Sequence, residues 1–445
     1  MVAFSEKGLA VGWHTKEGKI MRILKREISV PLMIVLFLGL SIGALASSDR
    51  IMPEHFEYLG AFLTPAWIPG TPDAQSWEWG GMSMAYDASG DVQGKTDDFP
   101  GSIYGTGHDV WNLVSEIDIP VPVISSTKNL SHLNTARTIQ GFSDVKKDLF
   151  TWIEEMPRVG LEILSPQGEQ TVRKLYLCWG AHHQDEFFFT HMWCETDLQN
   201  PYPAGAWTIS GMNPYNANDY LFEIPSDWAE ENVSGMRLAT GRYRDGGWSG
   251  FGPSLMAIAP WKHGNPPPHR AVLESIPLIK YSNYFEGNPD PWHQMNGYSH
   301  SDEWTGGAWL TAGDRSAVVF VGTKGIGDAW YGDPLKECMD DCELPHLRGW
   351  WSNSFEGWFI FYDTSDLAKV AQGLMQPYEA QPYAHLNVDD VLYYVYGDQE
   401  KYHLGACSYD RDNNLFYVFE PGRESPHGER EEERTIVHVW RIRSK

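Results

Sequence analysis

The segments GACSYD at 405–410, LFYVF at 415–419 and IVHVWRI at 436–442 decide the predicted fold. The first segment is rich in small residues, the other two are strongly apolar, and RDNN at 411–414 supplies a polar turn after the first. Short apolar segments bounded by turn residues are typical of β-strands. This stretch therefore predicts three consecutive strands.

The same order recurs along the chain. GGMSMAYD at 80–87, followed by SIYG at 102–105 and LVSEIDI at 113–119, is a second clear copy, and weaker copies begin near 159, 252 and 306. Radial repetition of small sheets is typical of a β-propeller, whose innermost strands crowd the axis and favour small residues. The sequence therefore predicts an all-β fold with a single five-bladed β-propeller. Six blades are the alternative, and a sandwich or two-domain β structure is a further one.

The segment FEYLGAF at 56–62 stands alone before the first copy, and the last copy has only three strands. We expect this segment to add the missing outer strand and close the ring, which would also fix the chain end. Residues 47–445 are predicted to form one propeller domain. Short helices are expected at 227–231 and 366–373.

The first 46 residues are predicted to lie outside this domain. VPLMIVLFLGLSIGALA at 30–46 follows Arg22, Lys25 and Arg26 and ends in small residues, which is typical of a secretory signal peptide. We expect cleavage after Ala46, an upstream extension at 1–20, no membrane span in the mature chain, and a secreted or periplasmic location. An uncleaved anchor is the weaker interpretation because the apolar run is short for a membrane span.

The charge of the chain limits its partners. The 34 Lys and Arg residues stand against 59 Asp and Glu residues, which gives a formal charge of −25, or −28 without residues 1–46. Such a chain lacks the basic surface that binds nucleic-acid phosphates or anionic membranes. No P-loop, GxGxxG, HExxH or GxSxG motif occurs, so no standard motif indicates the chemistry.

The five cysteines are expected to reflect export, which permits disulfides. Cys338 and Cys342 are predicted to close a tight loop, with half of a zinc site as the alternative. Cys178 and Cys194 are predicted to pair across a hairpin. Cys407 lies in an apolar strand and is expected to be a buried free thiol.

Candidate site residues lie in loops that a propeller brings to one end of its axis, namely those that enter each inner strand and those that leave each second strand. These loops mix aromatic, acidic, basic and His residues, which is typical of a binding or catalytic mouth. Each residue has a structural alternative, such as a core Trp or an inter-blade salt bridge. The candidate catalytic residues are Asp109, His183, Arg244, Asp245, His300, Asp302 and Glu303. The candidate ligand-binding residues are Trp77, Trp79, His108, His182, Arg242, Trp248, Trp304 and Lys324.

Sugar chemistry suits this set of residues. Aromatic rings stack on the C–H faces of sugars, while carboxylate and His side chains bond the hydroxyl groups. Asp109 or Asp245 together with Glu303 would supply the acid and base of glycosidic hydrolysis.

Two other chemistries are weighed beside hydrolysis. His183 or His300 as the base, with Arg244 neutralising a carboxylate, would suit elimination on a uronate-containing polymer. No cofactor is certain, although a divalent metal could bind a set of histidines whose spacing is not diagnostic. Those residues are His108, His182, His183 and His300.

The sequence thus predicts a secreted propeller that binds a polysaccharide or oligosaccharide at its axial face. The hypothesis extends to cleavage of that ligand, as a glycoside hydrolase or polysaccharide lyase. The alternative is a non-enzymatic extracellular binding or scaffold module of the cell envelope. Arg242, Arg244 and Lys324 are expected to reverse the sign of the charge locally at the mouth of this acidic chain.

Four segments carry a resemblance: WGGMSMAYD (79–87), GRYRDGGWSGFGPSL (241–255), HSDEWTGGAWLTAG (300–313) and VVFVGTKGIGD (318–328). They resemble a family of secreted bacterial proteins with propeller-like folds. That family has no assigned activity, so the resemblance assigns no catalytic role to any residue of this chain. The architecture is also similar to that of five-bladed sugar-acting enzymes such as the arabinanases, a fold analogy only. The Asp/Asp/Glu set of those enzymes has no match here, because WEW at 77–79 stands where an Asp is required.

Overall fold

Five sheets of four or five strands make up the fold. The structure is a computed structural model, and it describes residues 49–91, 97–150, 159–179, 189–211, 219–243, 250–283, 291–334, 336–337, 349–395, 397, 401–422 and 434–444. Pairing within the sheets is antiparallel except for one short parallel edge strand.

The strands follow one another blade by blade after a first strand, β1 (Phe56–Leu63). Blade 1 contains β2 (Met84–Asp87), β3 (Ser102–Thr106), β4 (Val114–Asp118) and β5 (Thr138–Ser143). Blade 2 contains β6 (Val159–Leu164), β7 (Lys174–Trp179), β8 (His191–Cys194) and β9 (Ala204–Ile209). Blade 3 contains β10 (Tyr220–Glu223), β11 (Leu238–Gly241), β12 (Leu255–Ile258) and β14 (Ser275–Ile279). The short strand β13 (Val272–Leu273), just before β14 in the chain, pairs with β9 and belongs to blade 2.

Blade 4 contains β15 (Glu303–Ala312), β16 (Arg315–Asp333), the short β17 (Lys336–Glu337), β18 (Gly349–Tyr362) and β19 (Ala384–Asn387). Blade 5 contains β20 (Cys407–Asp410), β21 (Leu415–Glu420) and β22 (Ile436–Ile442). The helices are α1 (Ser226–Asn232) and α2 (Thr364–Ala371), close to the expected positions. Among the described residues, no helix has the length and apolar character needed to cross a membrane.

The inner strands form a closed ring. β2 contacts β6, β6 contacts β10, β10 contacts β15, β15 contacts β20, and β20 contacts β2. Large buried side chains, among them Trp193, Trp207 and Trp309, fill the space between the blades. The fold is therefore a five-bladed β-propeller, which confirms the predicted class and excludes the six-bladed alternative.

The first strand closes the ring as predicted. β1 pairs antiparallel with β22, from Phe56 opposite Ile442 to Leu63 opposite Ile436. The Tyr58 hydroxyl lies 3.0 Å from Nδ1 of His438, and Nε2 of that imidazole lies 2.8 Å from the Glu420 carboxylate. A chain of hydrogen bonds thus joins β1 to β22 and β21.

The predicted start of the third copy is wrong. GPSLMAIA at 252–259 contributes β12, the third strand of blade 3, and the inner strand is YLFE at 220–223. That inner strand has large side chains because its neighbours leave room. A Cβ on Gly307 of β15 would lie 2.6 Å from the Phe222 ring, and one on Gly160 of β6 would lie 2.8 Å from the Tyr220 carbonyl carbon.

The predicted Cys178–Cys194 disulfide is also wrong. Both residues are buried free thiols. Cys178 lies opposite His191 in the β7–β8 pairing, and Cys194 lies three residues beyond His191. An odd offset places the two side chains on opposite faces of the sheet. Cys407 is a buried free thiol as expected, and Cys338 and Cys342 lie outside the described residues.

Gly160→Ala tests the close approach of blades 2 and 3. The new Cβ would lie 2.5 Å from Cys178 Sγ and 2.8 Å from the Tyr220 backbone. We expect urea denaturation to show a loss of about 1–3 kcal/mol, the usual cost of overpacking. Gly141→Ala is the matched control, because nothing lies within 4 Å of its Cβ position. Equal stability of the two variants would contradict the proposed packing.

Candidate functional site

The entry face is the end of the ring at which the chain enters the inner strands. Its described parts are 76–83, 107–113, 219, 242–243, 250–254, 291–302, 401–406 and the outer half of the β16–β18 hairpin, 325–333 with 349–355. Arg242 directly follows β11 and so lies in the loop that leaves the second strand of blade 3. Both loop types open at the same end, so Arg242 stays on the entry face.

Five of the candidate residues lie outside the described residues. The structure describes neither the β7–β8 loop around the two histidines nor the central part of the β11–β12 loop. These residues are His182, His183, Arg244, Asp245 and Trp248.

The blade 1 corner of the entry face combines two indoles with a His and an Asp. His108 Nδ1 lies 3.3 Å from Asp109 Oδ1, and both side chains are partly exposed. The imidazole lies 6.4 Å from the ring of Trp79 at an interplanar angle of 26° and 4.7 Å from Trp111 at 66°. Trp111 is 43% exposed. This corner therefore offers an aromatic surface beside polar groups.

A row of aromatic rings crosses from blade 3 to blade 4, with His300 at its centre. The imidazole stacks on Trp350 with ring centroids 4.5 Å apart and an angle of 18°, and it lies 5.7 Å from Phe251. The row continues from Phe251 to Trp292 at 5.1 Å and from Trp350 to Tyr331 at 5.6 Å. Trp292 is 40% exposed.

The orientation of the His300 ring is fixed within this row. Its Nδ1 lies 3.0 Å from the Tyr298 hydroxyl, which also donates to the Gly250 carbonyl at 2.6 Å. Since that hydroxyl proton goes to the carbonyl, the phenolic oxygen is the acceptor and His300 Nδ1 is the donor. We term the five rings Trp292, Phe251, His300, Trp350 and Tyr331 the aromatic row.

Asp302 and Lys324 form a buried ion pair. Lys324 Nζ donates to the carboxylate at 2.7 Å, and the backbone N–H groups of Ser299 and Gly325 donate at 2.9 and 3.0 Å. Asp302 is 0% exposed, and burial raises the pKa of its carboxyl group, an effect that Lys324 opposes. With no exposed surface, the carboxylate cannot contact a sugar in this conformation, and its contacts hold the start of β15 against β16.

Glu303 and Lys401 form a second pair, 2.9 Å apart. Lys401 Nζ lies 5.5 Å from the ring centroids of both Trp351 and Tyr402, within the range of cation–π attraction. Lys401 is 6% exposed and comes from the loop that enters β20. Lys401 is not among the residues predicted from the sequence, where only its position shortly before the small-residue strand at 405–410 could have indicated it.

Arg242 completes the set on blade 3. Its Nε lies 4.0 Å from the Asp219 carboxylate, which also accepts from the backbone N–H of Tyr243 at 2.7 Å. Arg242 and Lys324 were expected to reverse the local charge at the entry face. Each of them lies beside a buried carboxylate. For the described residues the expected positive mouth is therefore wrong, because Arg242 and Lys324 are each compensated by a neighbouring carboxylate.

Two predicted ligand-binding indoles lie in the core. Trp77 is 1% exposed and packs 5.4 Å from Phe142, and Trp304 is 0% exposed. Trp304 and Lys324 line a cavity of about 210 Å³ beside blade 4, and Trp358, stacked on His385 at 4.0 Å, forms another part of its wall.

The arrangement is suited to binding through ring faces. Stacked indole and imidazole rings present apolar surface, and the neighbouring hydroxyl, carboxyl and imidazole groups present hydrogen-bond donors and acceptors. Within the described ranges, no group of three or more His, Cys, Asp or Glu residues is arranged to hold a metal ion.

Comparisons with known proteins give distant structural similarities. No protein-family model matches the chain, and no curated protein matches it. Among solved structures, the phage phi92 endosialidase is similar over 88% of this chain with 8% identity and a TM-score of 0.33. An inulosucrase from Halalkalicoccus jeotgali bound to kestose is similar over 85% of each chain with 11% identity and a TM-score of 0.31. This chain spans 52% of the endosialidase, about half its length.

Lys324→Met tests the buried pair. Removal of the cation leaves Asp302 buried without its partner, which typically costs about 3–5 kcal/mol. The pKa of Asp302 then rises further above its unfolded value, so the folded variant binds an extra proton and loses stability as the pH rises. Urea denaturation should show a larger loss at pH 8 than at pH 5.

The control for this prediction is Lys369→Met, which removes an exposed ion pair with Asp366 on α2. We expect a change within about 0.5 kcal/mol at both pH values. A pH-independent loss in Lys324→Met would show that the ion pair with Asp302 is not its cause.

Proposed function

We propose that this protein is exported and binds the sugar rings of a neutral polysaccharide or oligosaccharide at the entry face. The observation that carries the proposal is the aromatic row, five rings in succession that run across two blades at the mouth of the propeller. Export rests on the apolar segment at 30–46 and its basic flank.

The geometry of the row favours sugars because their C–H faces are apolar and their edges are polar. Trp292, which is 40% exposed, and the half-buried Trp350, one face of which is covered by the His300 imidazole, supply ring surface for stacking. Rigid aromatic side chains also lose little conformational entropy on binding. A row longer than one ring suits a chain of sugar units better than a single one.

The balance of charges favours a neutral polymer over an anionic one. Lys324 and Lys401 are buried and engaged with carboxylates, so neither provides an uncompensated cation for a uronate. An anionic polymer would also approach a chain with a formal charge of −25. These observations favour the binding and hydrolysis hypotheses over elimination on a uronate.

Cleavage is the second candidate. His300, oriented by Tyr298, and Glu303, paired with Lys401, lie near the same strand entrance; the imidazole can donate or accept a proton and the carboxylate can accept one, which suits general acid–base chemistry. Asp109 is a partly exposed candidate carboxyl group on blade 1. Hydrolysis would require Glu303 and Asp109 to lie on opposite sides of one glycosidic bond.

Trp350→Ala tests the binding proposal. Dextran, xylan and mannan serve as neutral probes and polygalacturonate as the anionic probe, with affinities measured by isothermal titration calorimetry. We expect at least one neutral probe to bind and Trp350→Ala to weaken it about tenfold, the size of one lost aromatic contact. Tyr202→Ala, which removes a 72% exposed ring of blade 2, should leave the affinity unchanged.

Binding of polygalacturonate alone, or equal losses in the two variants, would contradict the proposal. A reducing-end assay on the same mixtures separates a binding module from an enzyme. Product that disappears in Glu303→Gln while binding persists would establish cleavage at this site.

A further inference from the structure

A second cavity opens at the opposite end of the ring, where the chain leaves the inner strands. It has a volume of about 310 Å³, at the lower end of the size range of small-molecule sites. Its walls come from the ends of β2, β6, β10 and β20 and from the turn after β20. We term it the exit pocket. Its polar and aromatic lining residues are Tyr86, Asp87, Glu162, Arg173, Glu223, Tyr409, Asp410, Arg411 and Asp412.

The polar groups of the exit pocket are held in place by the protein. Arg173 Nη1 donates to Asp87 at 2.6 Å, and Arg411 Nη1 donates to the Thr311 hydroxyl at 2.9 Å. The carboxylate of Asp410 accepts from the Tyr86 hydroxyl at 3.0 Å. The pocket therefore presents donors and acceptors in fixed positions, which is the condition for selective recognition of a polar ligand.

The exit pocket is acidic as a whole. Five carboxyl groups and two guanidinium groups line it, and two of the carboxylates are already paired, Asp87 with Arg173 and Glu223 with Arg237. The carboxyl group of Asp412 is on an exposed residue at the rim. A ligand with positive charge thus gains more from this cavity than a neutral or anionic one.

Glu162 is the carboxyl group that can change its charge here. Burial, together with the negative charge of Glu223, raises its pKa to about 8, against the opposing effects of Arg411 and of the backbone N–H groups of Ile163 and Glu223. Its Oε1 accepts from the Ile163 N–H at 2.9 Å. The Glu162 carboxyl group therefore holds its proton to a higher pH than an exposed glutamate does. Arg237 pairs with Glu223 beside it, and the other ionisable groups around Glu162 are Tyr86, Asp87, Arg173, Cys407, Tyr409, Asp410 and Asp412.

We propose that the exit pocket binds a small polyhydroxylated molecule that carries a protonated amino group, such as an amino sugar. The ammonium group would lie against the acidic residues, and the hydroxyl groups would bond the remaining carboxylates and guanidinium groups. The phenol rings of Tyr86 and Tyr409 supply the flat sides. This site is independent of the sugar site on the entry face.

The chemistry of the pocket favours an organic cation over a bare metal ion. Ca²⁺ requires six to eight oxygen ligands, whereas several carboxylate oxygens here already accept hydrogen bonds from the protein. Binding of an ammonium group favours the ionised form of Glu162, so each binding event would release part of a proton. The affinity should accordingly rise with pH until Glu162 is fully ionised.

Isothermal titration calorimetry of the full chain with 6-amino-6-deoxyglucose and with glucose tests the proposal. The aliphatic amine stays protonated at pH 7, so the pair differs by one positive charge at that pH. We expect the amino sugar to bind at least tenfold more tightly than glucose. Titrations in two buffers of different ionisation enthalpy should show proton release.

Glu162→Gln should weaken amino-sugar binding at least tenfold and abolish the proton release. Asp412→Asn, at the exposed rim, is a second variant that should weaken binding without disturbing the fold. Glu169→Gln is the matched control on blade 2, because it removes an exposed carboxylate that does not line the pocket. It should bind the amino sugar like the wild type.

Four results would overturn the proposal. The first is equal affinity for glucose and the amino sugar, or no binding of either. The second is unchanged amino-sugar binding in both Glu162→Gln and Asp412→Asn. The third is loss of amino-sugar binding in Trp350→Ala, which would assign the amino sugar to the entry face. Displacement of the amino sugar by Ca²⁺ in wild type but not in Glu162→Gln would indicate a metal site and would also overturn it.

Discussion

The pairing of β1 with β22 is the constraint on which the rest of the structure depends. Blade 5 takes three strands from the carboxyl end of the chain and its outer strand from the amino end, so the ring closes only when both ends meet. Buried hydrogen bonds from Tyr58 through His438 to Glu420 strengthen this contact, and the backbone of Val123 bonds the far edge of β1 at Ala61. Both faces described above exist only in the closed ring, because the inner strands of blades 5 and 1 must lie side by side.

Ring closure also explains why the two lysine–carboxylate pairs at the entrance of blade 4 are buried. The start of each inner strand must pack against the neighbouring blades, and Asp302 and Glu303 lie at that point in blade 4. Lys324 comes from the same blade, but Lys401 comes from the loop before β20, so the Glu303–Lys401 pair joins blades 4 and 5. In each of these buried pairs, a carboxylate compensates the charge of the lysine. The aromatic row lies at the same face and leaves ring surface for a ligand.

Much of the fold could be predicted from the sequence, because small residues mark crowded inner strands and FEYLGAF lacks a partner in its own region. The prediction failed in blade 3, where YLFE carries bulky side chains that fit only because Gly160 and Gly307 stand on neighbouring strands, a fact of tertiary packing. At the site, the sequence indicated His300 and Glu303 but missed Trp350 and Lys401. Trp350 contacts His300 only because the β16–β18 hairpin is long, and Lys401 contacts Glu303 across the boundary between blades 4 and 5. Both contacts join residues that are far apart in the chain, so local sequence spacing does not predict them.

Hydroxyl-radical footprinting of the full chain, with and without a neutral polysaccharide that it binds, shows directly whether the polymer lies on the aromatic row. We expect Trp350, Trp292 and Tyr331 to become protected when the polymer binds, while the exposed Tyr202 of blade 2 and Tyr86 of the exit pocket keep their reactivity. Protection confined to Tyr202 or Tyr86, with the aromatic row unchanged, would contradict it.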